Sequence, residues 1–362
     1  MRRVEAIDFI RGVAVLGLPL TNLMYMSNFT SGSVAPSTQW NDELISYLVD
    51  VFAHGKFRTV FSILFGVSLC LVYAKHQEGR AAEIKSRLFI LGAIGCVHGF
   101  VVWPGDILLN YALSGLLVLS VMKLDTRTLM KLAACSILIP IGILILLIYQ
   151  GGETTNSYQL DLDEVGFSLL GLLAFNFENY LSMLMLLPTI TLWYVFGLMI
   201  IGVLLYRAYW QFKAVVPIRF CLFLLMPISV VSSSIARALL SADYRVIYEL
   251  LNWLFAIPLS VAVVCIILNC RNSKVFQGSL LSHAGKNALS LYLMQSVLGV
   301  GLFQFAFPTW KIYFTHTDYF LLFISFTILQ LALVWCLWRV SLRGPAEWFI
   351  AHCQAYLNRR EY

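Results

Sequence analysis

The sequence predicts an all-α, polytopic membrane protein of about ten transmembrane helices with both termini in the cytoplasm. Three observations predict it. Hydrophobic residues fill 60% of the 362 positions and charged residues 12%, against roughly 45–50% and 25% in soluble domains, and mean hydropathy is +0.80. The apolar residues gather in ten long runs, and Lys and Arg collect in alternate connections between them. Disorder is excluded, because it needs low hydrophobicity and high charge. Collagen-like and disulfide-scaffold chains are excluded by the lack of a Gly period and of dense Cys.

The first run extends from Phe9 to about Met26 with no small-residue cleavage site after it, which predicts a retained helix and not a signal peptide. The others are expected at about 57–74, 88–103, 107–122, 129–149, 183–206, 217–240, 246–268, 287–307 and 319–338, each long enough for a hydrocarbon core of about 30 Å with some tilt. The whole of 1–362 reads as one integral membrane domain, with 29–56 and 150–182 as outward-facing loops. Asp42 to Ala53, with Leu44, Ile45, Leu48, Val49 and Phe52 on one stripe, and Val165 to Phe177, too short to span, are expected to lie along the interface as helices. Trp103, Trp253, Trp310 and Tyr313 near span ends read as interface anchors.

Cations near span ends are retained in the cytoplasm. Arg2, Arg3, Lys75, Arg80, Lys85, Arg87, Lys123, Arg127, Arg207, Lys213, Arg271, Lys286, Arg339 and Arg343 all fall on one face, whereas 29–43 and 150–165 carry Asp42, Glu43, Glu153, Asp161, Asp163 and Glu164 without Lys or Arg, and only Arg245 and Lys311 break the pattern elsewhere. The formal charge of +6 is spread thinly and predicts no nucleic-acid partner. The eight cysteines form no CxxC and lie mostly in apolar runs, so neither a metal nor a disulfide is expected.

An ionisable group at a helix centre costs about 2.5–3.5 kcal/mol on insertion scales, so each needs a partner or a wet cavity and is a functional candidate by default. Asp8 and Arg11 stand three apart at the start of the first span and can pair with each other. Asn22 lies near the other end of that span and is expected to hydrogen-bond a neighbouring helix. Lys56 and Arg58 enter the second span from the outside and are expected to point into an outward cavity, with snorkelling to phosphates as the structural alternative. His98, Trp103, Gly105 and Asp106 occur in GCVHGFVVWPGDILLNYALSG. Pro104 and Gly105 make a tight turn there, and Asp106 can cap the next helix and, if the turn folds back, orient the His98 ring as the partner of a general base. A satisfied interhelical histidine is the plainer alternative. Glu178, Arg237, Asp243 and Glu249 near outer span ends could line the same cavity, and His54 precedes Lys56. No Walker loop, HExxH or GxSxG occurs.

The stretch Arg3-x-x-x-x-Asp8-x-x-Arg11-Gly12-x-Ala14 with Asn22 resembles the first span of the YeiB-like family of bacterial membrane proteins. So do Gly55-Lys56-Phe57-Arg58 leading to Phe61-Ser62-x-Leu64-Phe65-Gly66, Arg87-Leu88 before His98, Trp103-x-Gly105-Asp106-Ile107-Leu108 with Tyr111-Ala112-Leu113, and Gly285-Lys286-x-Ala288-Leu289-Ser290-x-Tyr292-x-x-Gln295-Ser296. That family resembles, more distantly, the transmembrane acyltransferases, which include bacterial O-acyltransferases and heparan-α-glucosaminide N-acetyltransferase. The resemblance implies their fold, a bacterial inner-membrane location, and passage of an acyl group from cytoplasmic acyl-CoA to an acceptor across the membrane. In those relatives a His near the outer end of the first span is catalytic; the matching stretch here, Met26 to Asp42, has none, so His98 or His54 would take the role.

The leading expectation is therefore an acyltransferase-like enzyme. His98 and Asp106 would be catalytic, and Asp8, Arg11, Asn22, Lys56, Arg58, Trp103 and Gln295 substrate-binding. Arg11 would attract CoA phosphates, and Lys56 and Arg58 would stabilise an oxyanion or an anionic acceptor. No cofactor is expected beyond acyl-CoA as co-substrate. The expected partners are membrane lipids and a small-molecule substrate, with a homodimer left open. The alternative is a transporter or exporter of a small anionic metabolite that uses the same cations for binding. An accessory subunit whose buried polar groups only specify helix packing is the third reading.

Overall fold

The computed structural model describes residues 5–29, 32, 34–75, 81–151, 168–239 and 245–359. Among them every regular element is helical: α1 (Glu5–Gly17), α2 (Pro19–Ser27), α3 (Trp40–Phe52), α4 (Lys56–Lys75), α5 (Ala81–Val101), α6 (Leu108–Val121), α7 (Thr126–Gly151), α8 (Leu169–Leu186), α9 (Leu192–Tyr206), α10 (Ile218–Phe220), α11 (Met226–Leu239), α12 (Arg245–Asn269), α13 (Leu280–Lys286), α14 (Ala288–Val300), α15 (Trp310–Tyr313), α16 (His316–Arg339) and α17 (Pro345–Arg359). Nine helical runs among the described residues are long and apolar enough to cross a membrane. The protein is an all-α, multi-pass membrane protein. The shorter α6, 14 residues and about 21 Å at 1.5 Å per residue, occupies the place of the fourth expected span.

Two backbone crossings hold the bundle. At Gly12 of α1 an added Cβ would stand 2.0 Å from the Leu281 carbonyl oxygen, and at Gly285 of α13 it would stand 1.8 Å from that of Asp8. Gly66 of α4 and Gly202 of α9 meet in the same way, 2.0 Å from Met199 O and 2.1 Å from Ile63 O. Small residues let helices in lipid approach this closely, where dispersion and not water exclusion must bind them. α9 is apolar on every side and lies innermost, its residues 194–200 all buried; all-round apolarity marks such a helix.

Where the helices break, side chains from other helices complete the hydrogen bonding. Pro19 has no N–H to give Val15 O, the bond an unbroken helix would make there. Leu18 N reaches that oxygen at 3.3 Å, and Gln295 Nε2 of α14 donates to it at 2.9 Å. Gln304 Nε2 likewise donates to Met26 O (2.8 Å) and Ser27 O (3.1 Å), the last carbonyls of α2.

Two expectations change. The described part of the expected interfacial helix, 169–177, and the span expected at 183–206 are parts of one helical run, Leu169–Gln211, of 43 residues. Pro188 sits in a π-helical turn at Leu187–Thr191 that carries the helix through, and a second such turn follows at Arg207–Gln211. Residues 152–167 of that outer loop lie outside the described residues. The stripe on α3 is also split: Leu44, Leu48 and Phe52 face outward while Val49 is buried, and Asp42 accepts hydrogen bonds from Thr317 N (2.8 Å) and Oγ1 (3.1 Å) at the start of α16.

Candidate functional site

α5 ends at Val101, and the turn of Trp103 to Asp106 reverses the chain into α6. Asp106 then performs two tasks with one carboxylate. Its Oδ2 accepts from Leu109 N at 3.1 Å, an N-terminal cap on α6. Its Oδ1 lies 2.9 Å from His98 Nδ1. The fit depends on Gly95, where an added Cβ would stand 2.8 Å from Asp106 Oδ2 and 2.5 Å from Leu109 N. Both side chains of the pair are sealed, 2% and 0% exposed. Because a carboxylate accepts, Nδ1 is the donor of the pair, and in the neutral imidazole Nε2 then presents a lone pair.

That Nε2 is buried and without a partner, as is the hydroxyl of Tyr292, whose ring centroid is 5.4 Å from that of His98. Tyr180 closes another side: its ring fills the space left by Gly99 and its hydroxyl donates to Gly95 O at 3.3 Å. One helical turn away on α8, the whole amide of Asn176 is buried and unpartnered. Neither Asn176 nor Tyr292 was assigned a role from the sequence. Tyr292 did carry a signal, since it lies three residues before Gln295 and so shares its helical face.

Arg58 stands apart from this pair. Its guanidinium lies 4.6 Å over the Trp253 ring and 6.0 Å from that of Tyr194, within cation–π range. Its Nε is buried without an acceptor, and no described carboxylate pairs with it. Tyr111 links the regions: its hydroxyl contacts Ser62 Oγ (2.9 Å) and donates to Arg58 O (3.2 Å).

The other expected residues do not join them. Lys56 does not point into an open cavity: it is 3% exposed, and its Nζ donates to Asn252 Oδ1 (2.6 Å), Asp50 O (2.9 Å) and Ser233 Oγ (3.4 Å), three acceptors for three donors. The Asp50 carboxylate turns to Arg237 and to His54, the latter at 3.7 Å, so these groups lock α3 to α11 and do not line a chamber. Asp8 pairs with Arg11 at 3.1 Å, and Arg11 also donates to Ser68 Oγ at 2.6 Å. Asn22 makes no side-chain hydrogen bond to the described residues and is half-buried, contrary to the expected interhelical bond. Trp103 is no interface anchor, because the turn folds its indole inward: it is 7% exposed and packs in a cluster with Leu23, Leu172 and Phe303. Gln295 spends its amide hydrogens on Val15 O and Gln330 Oε1 (2.6 Å). Glu178 is exposed, Asp243 lies outside the described residues, and nothing is described of the Glu249 side chain. Among the described residues no three His, Cys, Asp or Glu gather as a metal site would require.

Residues 203–357 match the family described as a protein of unknown function, DUF418. The chain is 28% identical over 228 residues to the uncharacterised protein YeiB of Escherichia coli (strain K12), covering 58% of this chain and 57% of that one. It is 29% identical over 141 residues to the uncharacterised protein YxaH of Bacillus subtilis (strain 168), 35% of each. In these stretches the chain is similar to YeiB-like proteins. It is also 30% identical over 125 residues to an uncharacterised 39.9 kDa protein encoded in the amylase 3′ region of Bacillus acidopullulyticus, 34% of this chain and 35% of that one. The chain thus spans little more than half the length of one curated relative and about a third of the others. No solved structure matches it. In this YeiB-like chain the first and last resemblance motifs meet in space, since Gly12 and Gly285 form one helix crossing.

Proposed function

We propose that this YeiB-like protein is a membrane-embedded acyltransferase-like enzyme, in which His98 takes a proton from the hydroxyl or amine of a small or envelope acceptor. The observation that carries the reading is the Asp106–His98 pair at 2.9 Å with a free, buried Nε2, the arrangement of a general base and its orienter. The acceptor proton passes to His98 Nε2 as the acceptor atom bonds to the thioester carbonyl carbon of acyl-CoA. The tetrahedral intermediate collapses, the carbon–sulfur bond breaks, and the departing thiolate recovers the proton from the imidazolium. The products are the acylated acceptor and CoA with its thiol. Arg58, without a carboxylate partner among the described residues, supplies positive charge for an anionic oxygen. The reading puts the basic loops and both termini in the cytoplasm of a bacterial inner membrane, in accord with the positive-inside rule.

A positioned base contributes about 10²- to 10⁴-fold. With purified protein in liposomes, radiolabelled acetyl-CoA and a bacterial envelope extract as acceptor, His98→Ala is expected to lower label transfer by that factor while still inserting. Unchanged transfer by His98→Ala removes the base assignment. The lone guanidinium of Arg58 also suits anion binding alone, and movement of an intact anion across the liposome wall, lost in Arg58→Gln and without any transfer of label, favours the transporter instead.

A further inference from the structure

At the other end of the bundle, where α4, α6 and α9 finish, lies a cavity of about 270 Å³ that none of the candidate site residues lines. Its wall includes Tyr73, Ala74, Lys123, Tyr206, Arg207 and Gln211 and, among the described residues, no acidic side chain. The guanidinium of Arg207 is fixed there by neutral partners: Nη2 donates to Met122 O at 2.8 Å and Nη1 to Thr126 Oγ1 at 3.3 Å. Two of its five N–H groups are used, its charge is not neutralised by a described carboxylate, and it is part-buried. The acid closest in sequence is turned away. Asp125 accepts from Thr128 N (2.9 Å) and Oγ1 (2.6 Å), capping α7, and those bonds hold its carboxyl below the usual range. Arg207 and Gln211 open and close a π-helical turn, an element that often marks a functional site because it breaks the regular ladder at a helix-stability cost.

A concave wall bearing a held guanidinium, with two phenol rings and an amide beside it, complements a compact anion that has several acceptor oxygens. We propose that this cavity binds a phosphate group, as a monoester or diester, independently of the His98 site. Its position where three apolar helices end sets it at the depth of lipid headgroups and also within reach of soluble phosphate esters. Lipid and soluble ester share the chemistry, and the test separates them.

The test uses the full-length protein purified in detergent. Native mass spectrometry follows lipid kept from an equal mixture of phosphatidylglycerol and phosphatidylcholine, and thermal unfolding follows binding of pyrophosphate. Wild type is expected to bind at least one of the two anionic probes. Arg207→Gln and Ala74→Phe are each expected to weaken that binding by about 10- to 100-fold, the worth of one or two charge-assisted hydrogen bonds. Ala74→Phe adds bulk at the cavity wall and removes none of the Arg207 bonds, so it decides the matter should Arg207→Gln fail to fold. Phosphatidylglycerol that pyrophosphate does not displace identifies a lipid headgroup; stabilisation by pyrophosphate alone identifies a soluble ester. Binding of neither probe, or binding that survives Ala74→Phe in folded protein, overturns the proposal. Loss of acyl transfer in His98→Ala leaves these readings untouched.

Discussion

Replacing Gly285 by alanine tests how tightly the bundle is drawn at its first crossing. The new Cβ would stand 1.8 Å from Asp8 O, 2.7 Å from Asp8 C and 2.9 Å from Gly12 N, where ordinary contact begins at 3.4 Å. All three neighbours are backbone atoms of α1, so no side chain can swing aside. The helices must part by about 1.5 Å along that contact, well beyond the gap at which dispersion contacts lose a quarter to a half of their depth. Overpacking costs about 1–3 kcal/mol in a core that adapts, and this rigid crossing should lie near about 3 kcal/mol. At about 2–4 °C per kcal/mol, the unfolding midpoint in detergent should fall by about 6–12 °C. Gly142→Ala in α7 is the matched control, because nothing lies within 4 Å of its added Cβ. It should hold or raise the midpoint, alanine being favoured over glycine in a helix by about 1 kcal/mol. A Gly285→Ala midpoint indistinguishable from that of Gly142→Ala would refute the close crossing.

Asn252→Leu removes the Oδ1 that accepts from both Lys56 and Ser233 and strands a buried ammonium; a loss of about 3–5 kcal/mol is expected, and Lys56→Met in that background should recover part of it by the same unfolding assay. Asp106→Ala should lower stability more than His98→Ala does, by about 1 kcal/mol for the lost cap on α6; equal midpoints would count against the double use of its carboxylate. Glu347 accepts from Leu289 N (2.8 Å), Ser290 N (3.2 Å) and Ser290 Oγ at the start of α14, so Glu347→Ala should release α17 and speed tryptic cleavage at Arg343 with little change in the bundle midpoint. Unchanged cleavage would show that other contacts hold the helix.

The spans were legible because hydrocarbon demands long apolar runs whatever surrounds them, and ends such as 217–240 and 246–268 differ by a residue or so from the observed Ile218–Leu239 and Arg245–Asn269. What hydropathy does not register is a helix made for other reasons. α17 is polar on much of its surface and docks through Glu347, and α13 is only seven residues long, ended by the turn at Asn287. The continuity of the segment ending at Phe177 with the span from 183 was also missed, since Glu178 and Asn179 interrupt the apolar pattern between them. At the site, the contact between His98 and Asp106 was readable because eight residues with a Pro-Gly turn leave the chain few other paths. The box around Lys56 was not readable: Ser233 and Asn252 are 177 and 196 residues away in sequence, and a serine or asparagine in an apolar run gives no sign of its partner.

The buried polar groups divide by whether a local debt in hydrogen bonding accounts for them. Gln295 answers the carbonyl freed by Pro19, Gln304 the open end of α2, Asn252 and Ser233 the ammonium of Lys56, and Ser68 a guanidinium already paired with Asp8. For each of these, helix packing is reason enough, and the spare oxygens of the two glutamines belong to amides already engaged through nitrogen. His98 Nε2, the Tyr292 hydroxyl and the Asn176 amide answer nothing in the fold, and each costs about 1–3 kcal/mol to leave unmet in a dry interior. Asp106 makes the His98 instance stronger, because it already caps α6 and would serve that purpose with any residue at position 98. A fold selected for stability alone would have an aliphatic side chain there, so the unpartnered Nε2 is the observation on which the proposed base role of His98 rests.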